Sequence, residues 1–212
     1  RVRSAFDRAA ASYDAAATLQ RDVCQRLLDG MGGVGGEGGV GGIDSRAPRT
    51  SEGSAPGAIL DAGCGTGYGS RLLRARWPEA RLSAADFAPA MVELARSSAD
   101  DSFVADIEAL PCAPASFDLW WSSLSIQWCS AEAVFAEAAR VLRPGGRLAA
   151  STLGPDTFHE LRSAFRGIDG YRHTISFSPP EKIVAALAAA GFRNIEVQRQ
   201  HLSVHYPELK SL

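Results

Sequence analysis

The chain has 212 residues, 22 Lys and Arg against 24 Asp and Glu, and a formal charge of −2. That length fits one domain with at most a small appendage, and 46% hydrophobic against 22% charged residues can build a sizeable core. The charge balance argues against a general nucleic-acid binder, and no run reaches the ~18 apolar residues of a membrane span. No Gly-Lys pair occurs, which removes a Walker A phosphate loop.

In chain order, Val2, Phe6, Ala9, Ala10, Tyr13, Ala17, Val23 and Leu27 recur close to helical spacing, so residues 1–29 read as an N-terminal helical segment. Residues 30–57 are Gly-rich and then Ser/Pro/Arg-rich, the composition of a flexible insertion. From 58 to 212 short apolar runs alternate with helical patterns. Strands are predicted at 58–61, 81–86, 102–105, 117–122 and 146–152, with a sixth at 193–200. Helices are predicted at 67–76, 89–97, 131–142, 157–168 and 180–190. This alternation predicts an α/β fold, a doubly wound Rossmann-like sheet with ligand at the carboxyl ends of its strands.

Cys24, Cys64, Cys112 and Cys129 form no C-x-x-C pair and read as free thiols of a reducing, cytoplasmic compartment. No secretory signal is read at the start of the chain. His201 and His205 form H-x-x-x-H without acidic or Cys partners nearby, so no metal is expected.

The first strand runs into Asp61-Ala62-Gly63-Cys64-Gly65-Thr66-Gly67. Its glycines let backbone approach a ligand and turn into a helix. The spacing is wrong for a dinucleotide fingerprint, because Tyr68 or Ser70 stands at the sixth position. Asp86 ends the second strand, placed to accept from ribose hydroxyls, and Phe87-Ala88-Pro89-Ala90-Met91 follows.

D-x-G-x-G-x-G resembles the signature of class I S-adenosylmethionine-dependent methyltransferases. That resemblance implies a cofactor site built from Asp61, Gly63, Cys64, Gly65, Gly67, Asp86, Phe87, Met91, Asp106, Ile107 and Ser122. In such enzymes the glycine loop packs on the methionine part, and an acidic residue such as Asp106 meets the adenine amino group. Arg143-Pro144-Gly145-Gly146 is similar to the turn before the fifth strand.

A narrower resemblance lies in Phe6-x-Arg8-Ala9-Ala10-x-x-Tyr13-Asp14-x-x-Ala17-x-Leu19-Gln20 and Ser122-Ser123-Leu124-Ser125-Ile126-Gln127-Trp128-Cys129. Thr157-x-x-Glu160-Leu161-Arg162 and Asp169-x-x-x-His173-x-x-x-Phe177 extend it. These look like malonyl-[acyl-carrier protein] O-methyltransferase of biotin synthesis, with Ser123 where that family has Asn. The resemblance implies methyl transfer to a malonyl carboxylate on acyl-carrier protein, by a monomer. It also implies a further helix and last strand beyond Leu212.

Within that reading Tyr13 is a lid residue, residues 1–29 the lid, and Arg172 and His173 partners of the substrate carboxylate. His159, Arg162 and Arg166 make a basic stripe suited to an acidic carrier protein. Three alternatives stand beside it. They are a methyltransferase for another small carboxylate or lipid-like acceptor, a relative of the mitochondrial complex I assembly hydroxylase, and a non-catalytic cofactor-binding interaction module.

Overall fold

In the computed structural model, which describes residues 17–31, 55–168 and 174–204, the apolar runs pair into one parallel five-stranded sheet. Its strands are β1 (Ala58–Ala62), β2 (Arg81–Asp86), β3 (Asp101–Val104), β4 (Phe117–Ser123) and β5 (Leu142–Ser151). The order is β3-β2-β1-β4-β5. β1 is central, with Asp61 beside Ala84 of β2 and Trp121 of β4. The chain reverses its direction of winding between β1 and β4, so a crevice opens there at the carboxyl ends.

Alternation along β4 divides the core. Trp120 faces Val134, Phe135, Leu148 and Leu187, covered by α4 (Ala131–Val141) and α6 (Pro180–Ala189). Leu119 and Trp121 face Leu27, Leu28 and Leu73, covered by α1 (Thr18–Gly30) and α2 (Tyr68–Arg76). Helices on both faces make the sheet doubly wound, as expected.

α1 buries Val23, Cys24, Leu27 and Leu28, one apolar stripe at helical spacing. Burying a side chain such as Leu27 stabilises by about 1.5–3 kcal/mol. This helix is therefore part of the core, although residues 1–29 read as a lid. Tyr13 and nearly all of the Gly-rich insertion lie outside the described residues.

Local chemistry sets the boundaries. Pro89 opens α3 (Pro89–Ala95), where its missing N–H costs nothing, and the end tightens into a 3₁₀ turn at Arg96–Ser98. Ser130 caps α4 by accepting from Ala133 N at 3.3 Å. Arg140 near its end donates to Cys112 O and Leu110 O at 2.8 and 3.0 Å, fixing the loop after β3. Asp118 accepts from Gly57 N, Ala58 N and Arg143, which ties β1, β4 and β5 at their amino ends. Burial pulls the Asp118 pKa upward, but Arg143 and the two amides outweigh it and hold the carboxyl below its ordinary value.

Three expectations are corrected. The helix expected at 157–168 shrinks to α5 (His159–Ala164), which buries no residue, and Ile168 is 71% exposed. Phe158 enters it at φ +59° and Gly167 leaves at +85°, so the apolar spacing has neither length nor a sheet face to receive it. Within the basic stripe the Arg162 guanidinium folds back onto the carbonyls of Thr157 and Pro155, while His159 and Arg166 stay exposed. The expected sixth strand at 193–200 is irregular, because among the described residues no strand lies alongside to complete a ladder. β5 begins four residues early at Leu142 and carries a register shift, with Phe117 opposite Leu142 but Leu119 opposite Arg147.

Candidate active site

The crevice is a cavity walled by the ends of β1, β2 and β4, the loop after β3, and α1. Its floor starts at Asp61, only 2% exposed, whose Oδ2 accepts from Ser70 Oγ at 2.6 Å. Burial pushes the Asp61 pKa up to about 7; the Ser70 hydroxyl opposes this and the Asp86 charge adds to it.

Gly63 N and Cys64 N both donate to Ala85 O, at 2.8 and 3.0 Å, which folds the loop over β2. Gly63 sits at φ +78°, and a Cβ there would lie 2.2 Å from Ser125 Oγ. Gly67, at φ +82°, would place a Cβ 2.9 Å from Ala95 Cα. The first glycine thus lets the turn after β4 come close, and the last lets α2 pack on the end of α3.

Asp86 is 5% exposed and holds two pieces of the wall. Oδ2 accepts from Gly65 N at 3.0 Å and Oδ1 from Ala88 N at 2.9 Å. A carboxylate oxygen can accept more than one hydrogen bond, the capacity that a hydroxyl-bearing ligand calls on. Past it, Phe87, Met91 and Ile107 give an apolar wall edged by Asp106, whose Oδ1 accepts from Glu108 N.

The turn after β4 brings Ser123, Leu124, Ser125, Trp128 and Cys129 to the cavity. Ser125 Oγ donates to Gly63 O at 3.0 Å, joining this turn to the glycine loop. From α1 come Gln20, Arg21 and Cys24. The Arg21 guanidinium lies 5.5 Å from the centre of the Tyr68 ring, a cation–π distance. Burial, and next the Asp61 charge, push the Cys24 thiol up to about 12, and burial raises Cys64 as well. Neither is a thiolate nucleophile at neutral pH.

Of the expected cofactor residues, Asp61, Gly63, Cys64, Gly65, Asp86, Phe87, Met91, Asp106 and Ile107 converge on this cavity. Gly67 and Ser122 do not line it. Gly67 packs against α3, and the buried Ser122 hydroxyl donates to Ala62 O at 2.7 Å, stitching β4 to β1. Arg172 and His173, like Tyr13, fall outside the described residues. Sequence reasoning missed Arg21, Cys24 and Tyr68 as wall residues. The signal was faint: Arg21 directly follows the quoted N-terminal motif.

This wall fits S-adenosylmethionine. A buried carboxylate and a close backbone turn suit its cationic amino-acid end, Asp86 suits a ribose diol, and the apolar wall edged by Asp106 suits an adenine. Among the described residues no group of three or more His, Cys, Asp or Glu is placed to hold a metal ion. Asp86→Ala is expected to cut affinity for S-adenosylhomocysteine at least ~10-fold, since a hydrogen bond to a charged group is worth about 1.5–3 kcal/mol. Unchanged affinity by calorimetry would put the ribose elsewhere.

Comparison with known proteins converges on the same chemistry. Residues 60–150 match the family model described as "Methyltransferase domain". The fold is similar to that of an S-adenosylmethionine-dependent methyltransferase from Thermotoga maritima, with a TM-score of 0.61 at 19% identity over 89% of this chain and 80% of that one. The chain is 41% identical, over 100% of its own length and 73% of the relative's, to malonyl-[acyl-carrier protein] O-methyltransferase of Dechloromonas aromatica (strain RCB). It is 43% identical, over 100% of its length and 74% of the relative's, to the Serratia marcescens protein of the same name. Identity of this depth along the whole chain, with a glycine loop and two buried carboxylates in one crevice, makes it an S-adenosylmethionine-dependent enzyme that belongs to the malonyl-[acyl-carrier protein] O-methyltransferase family.

Proposed function

We propose that this enzyme methylates the free carboxylate of a malonyl group carried on acyl-carrier protein, at the start of the pimeloyl-forming part of biotin synthesis. The observation that carries the reading is the full-length similarity to relatives of that name, each of which this chain spans by nearly three quarters. The cavity supports it chemically. When bound, S-adenosylmethionine supplies an electrophilic methyl group.

Asp61 and the glycine loop hold the amino-acid end, Asp86 the ribose, and Asp106 and Ile107 the adenine. A malonyl carboxylate is ionised at pH 7 and is already a nucleophile, so the protein needs no general base. What the chain must supply is position and the exclusion of water. The wholly buried Trp121 and the half-exposed Trp128 flank the turn where the acceptor would meet the cofactor. In this reading Tyr13 closes over the site, and Arg172 and His173 pair with the substrate carboxylate.

The test is methyl transfer from labelled S-adenosylmethionine to malonyl-carrier protein, malonyl-coenzyme A and acetyl-carrier protein. Label in a base-labile ester on malonyl-carrier protein, with none on the acetyl form, is the expected result. Transfer to an unrelated small carboxylate but to neither malonyl thioester would overturn the substrate assignment.

A further inference from the structure

Leu124 lines the cavity and carries φ +52°, a left-handed conformation that branched side chains seldom adopt. Such a residue persists only where its surroundings over-determine it. Two elements do so here. The Leu124 N–H points at Ser151, whose carbonyl and hydroxyl oxygens lie 3.1 and 3.2 Å away. On the other side, Gln127 Nε2 donates to Leu124 O at 2.6 Å, and Gln127 Oε1 accepts from Thr152 Oγ1 at 3.4 Å. One amide therefore ties the carboxyl end of β4 to the carboxyl end of β5, at the strained residue. Gln127 itself does not line the cavity, whereas Leu124, Ser125, Trp128 and Cys129 around it do.

We infer that Gln127 is a positioning residue for methyl transfer: through its amide it fixes the Leu124 turn, and so the wall against which the acceptor carboxylate is aligned. This rests on the proposed reading of the site. The Gln127 amide bonds to Leu124 and Thr152, away from the residues proposed to anchor the cofactor, so its loss should act on the acceptor step. The requirement is for a donor as well as an acceptor. Glutamine provides both in one planar group, and an ionised glutamate cannot donate to Leu124 O.

Gln127→Leu and Gln127→Glu test this together, with S-adenosylhomocysteine affinity by calorimetry, hydrogen exchange of residues 124–129, and kcat on malonyl-carrier protein. Misplacing reacting groups by about 1 Å can cost ~10²-fold. Both variants should lose at least about tenfold in kcat at pH 8, with cofactor affinity within about threefold and faster exchange confined to the turn. Gln127→Glu, relative to the parent at each pH, should recover as pH falls and its carboxyl regains a proton to donate. Gln127→Leu should not. Unchanged exchange at 124–129 would overturn the inference, as would parental kcat in both variants. A matched loss of kcat, affinity and melting temperature without recovery of Gln127→Glu would also overturn it, leaving only a structural role. If the parent methylates no malonyl thioester, the proposed function fails; exchange still decides whether Gln127 holds the turn.

Discussion

Asp61→Asn is expected to raise the melting temperature at pH 8 while weakening cofactor affinity. The folded pKa of Asp61 is raised to about 7, against an ordinary carboxylate value of about 4. A carboxyl shifted upward stabilises the folded state in acid, and this contribution is lost as pH rises from about 4 through 7. Above pH 7 the protein holds a buried charge that its unfolded chain would hydrate freely. At 1.36 kcal/mol per pKa unit, the relief from an uncharged amide is on the order of a few kcal/mol, less whatever the Ser70 hydrogen bond loses. Near pH 4 the gain should vanish.

Cofactor binding should move the opposite way, because a cationic ligand favours the ionised carboxylate. Parent affinity should climb through pH 7, and that of Asp61→Asn should stay flat. Melting curves at pH 5 and pH 8, with calorimetry across the same range, check both. A stability difference that ignores pH would show that Asp61 carries no buried-charge penalty.

Gly63→Ala should be far more damaging than Gly65→Ala, although both glycines have positive φ. A Cβ on Gly63 would stand 2.2 Å from Ser125 Oγ and 2.5 Å from Ser125 Cβ, whereas one on Gly65 meets nothing within 4 Å. Ser125 cannot simply swing aside without giving up its bond to Gly63 O. Overpacking costs about 1–3 kcal/mol and left-handed strain about 1–2, so Gly63→Ala should lose about 3 kcal/mol. At roughly 2–4 °C per kcal/mol for a chain of this size, the melting temperature falls by about 6–12 °C. Gly65→Ala should lose only the strain portion. Adding Ser125→Gly to Gly63→Ala should recover much of the difference. Equal melting temperatures for the two single variants would contradict the close approach.

The sheet and glycine loop were legible because their signals are local. An apolar run, three alternating glycines and a helical pattern follow one another between 58 and 76, and Asp86 closes the next strand in the same way. α5 was misread for the converse reason. Phe158, Leu161, Phe165 and Ile168 have a helical period, but periodicity does not say whether a surface exists to bury it. Among the described residues the expected strand at 193–200 has no neighbouring strand, which no local pattern reports. α1 was recognised as helical, yet its place as a cavity wall depends on contacts between residues in the twenties and those beyond 60. The Ser122–Cys129 segment was singled out by resemblance alone. Its physical content, a left-handed Leu124 held by a glutamine, resides in dihedral angles and hydrogen bonds to a strand end some 25 positions away.

The alternation of Trp120 and Trp121 gives the molecule two internal fluorophores with separate loyalties. Both indoles are wholly buried, but Trp120 belongs to the layer under α4 and α6, and Trp121 to the layer under α1, where it also borders the cavity. Among the described residues neither buried indole N–H has a hydrogen-bond partner, so the packing around each governs its emission. With Trp77 and Trp128 first replaced by Phe, replacing one or the other of the buried pair separates the optical signal of one hydrophobic layer from that of its neighbour. The α1 layer can then be followed as ligand enters, while the opposite layer serves as the internal reference.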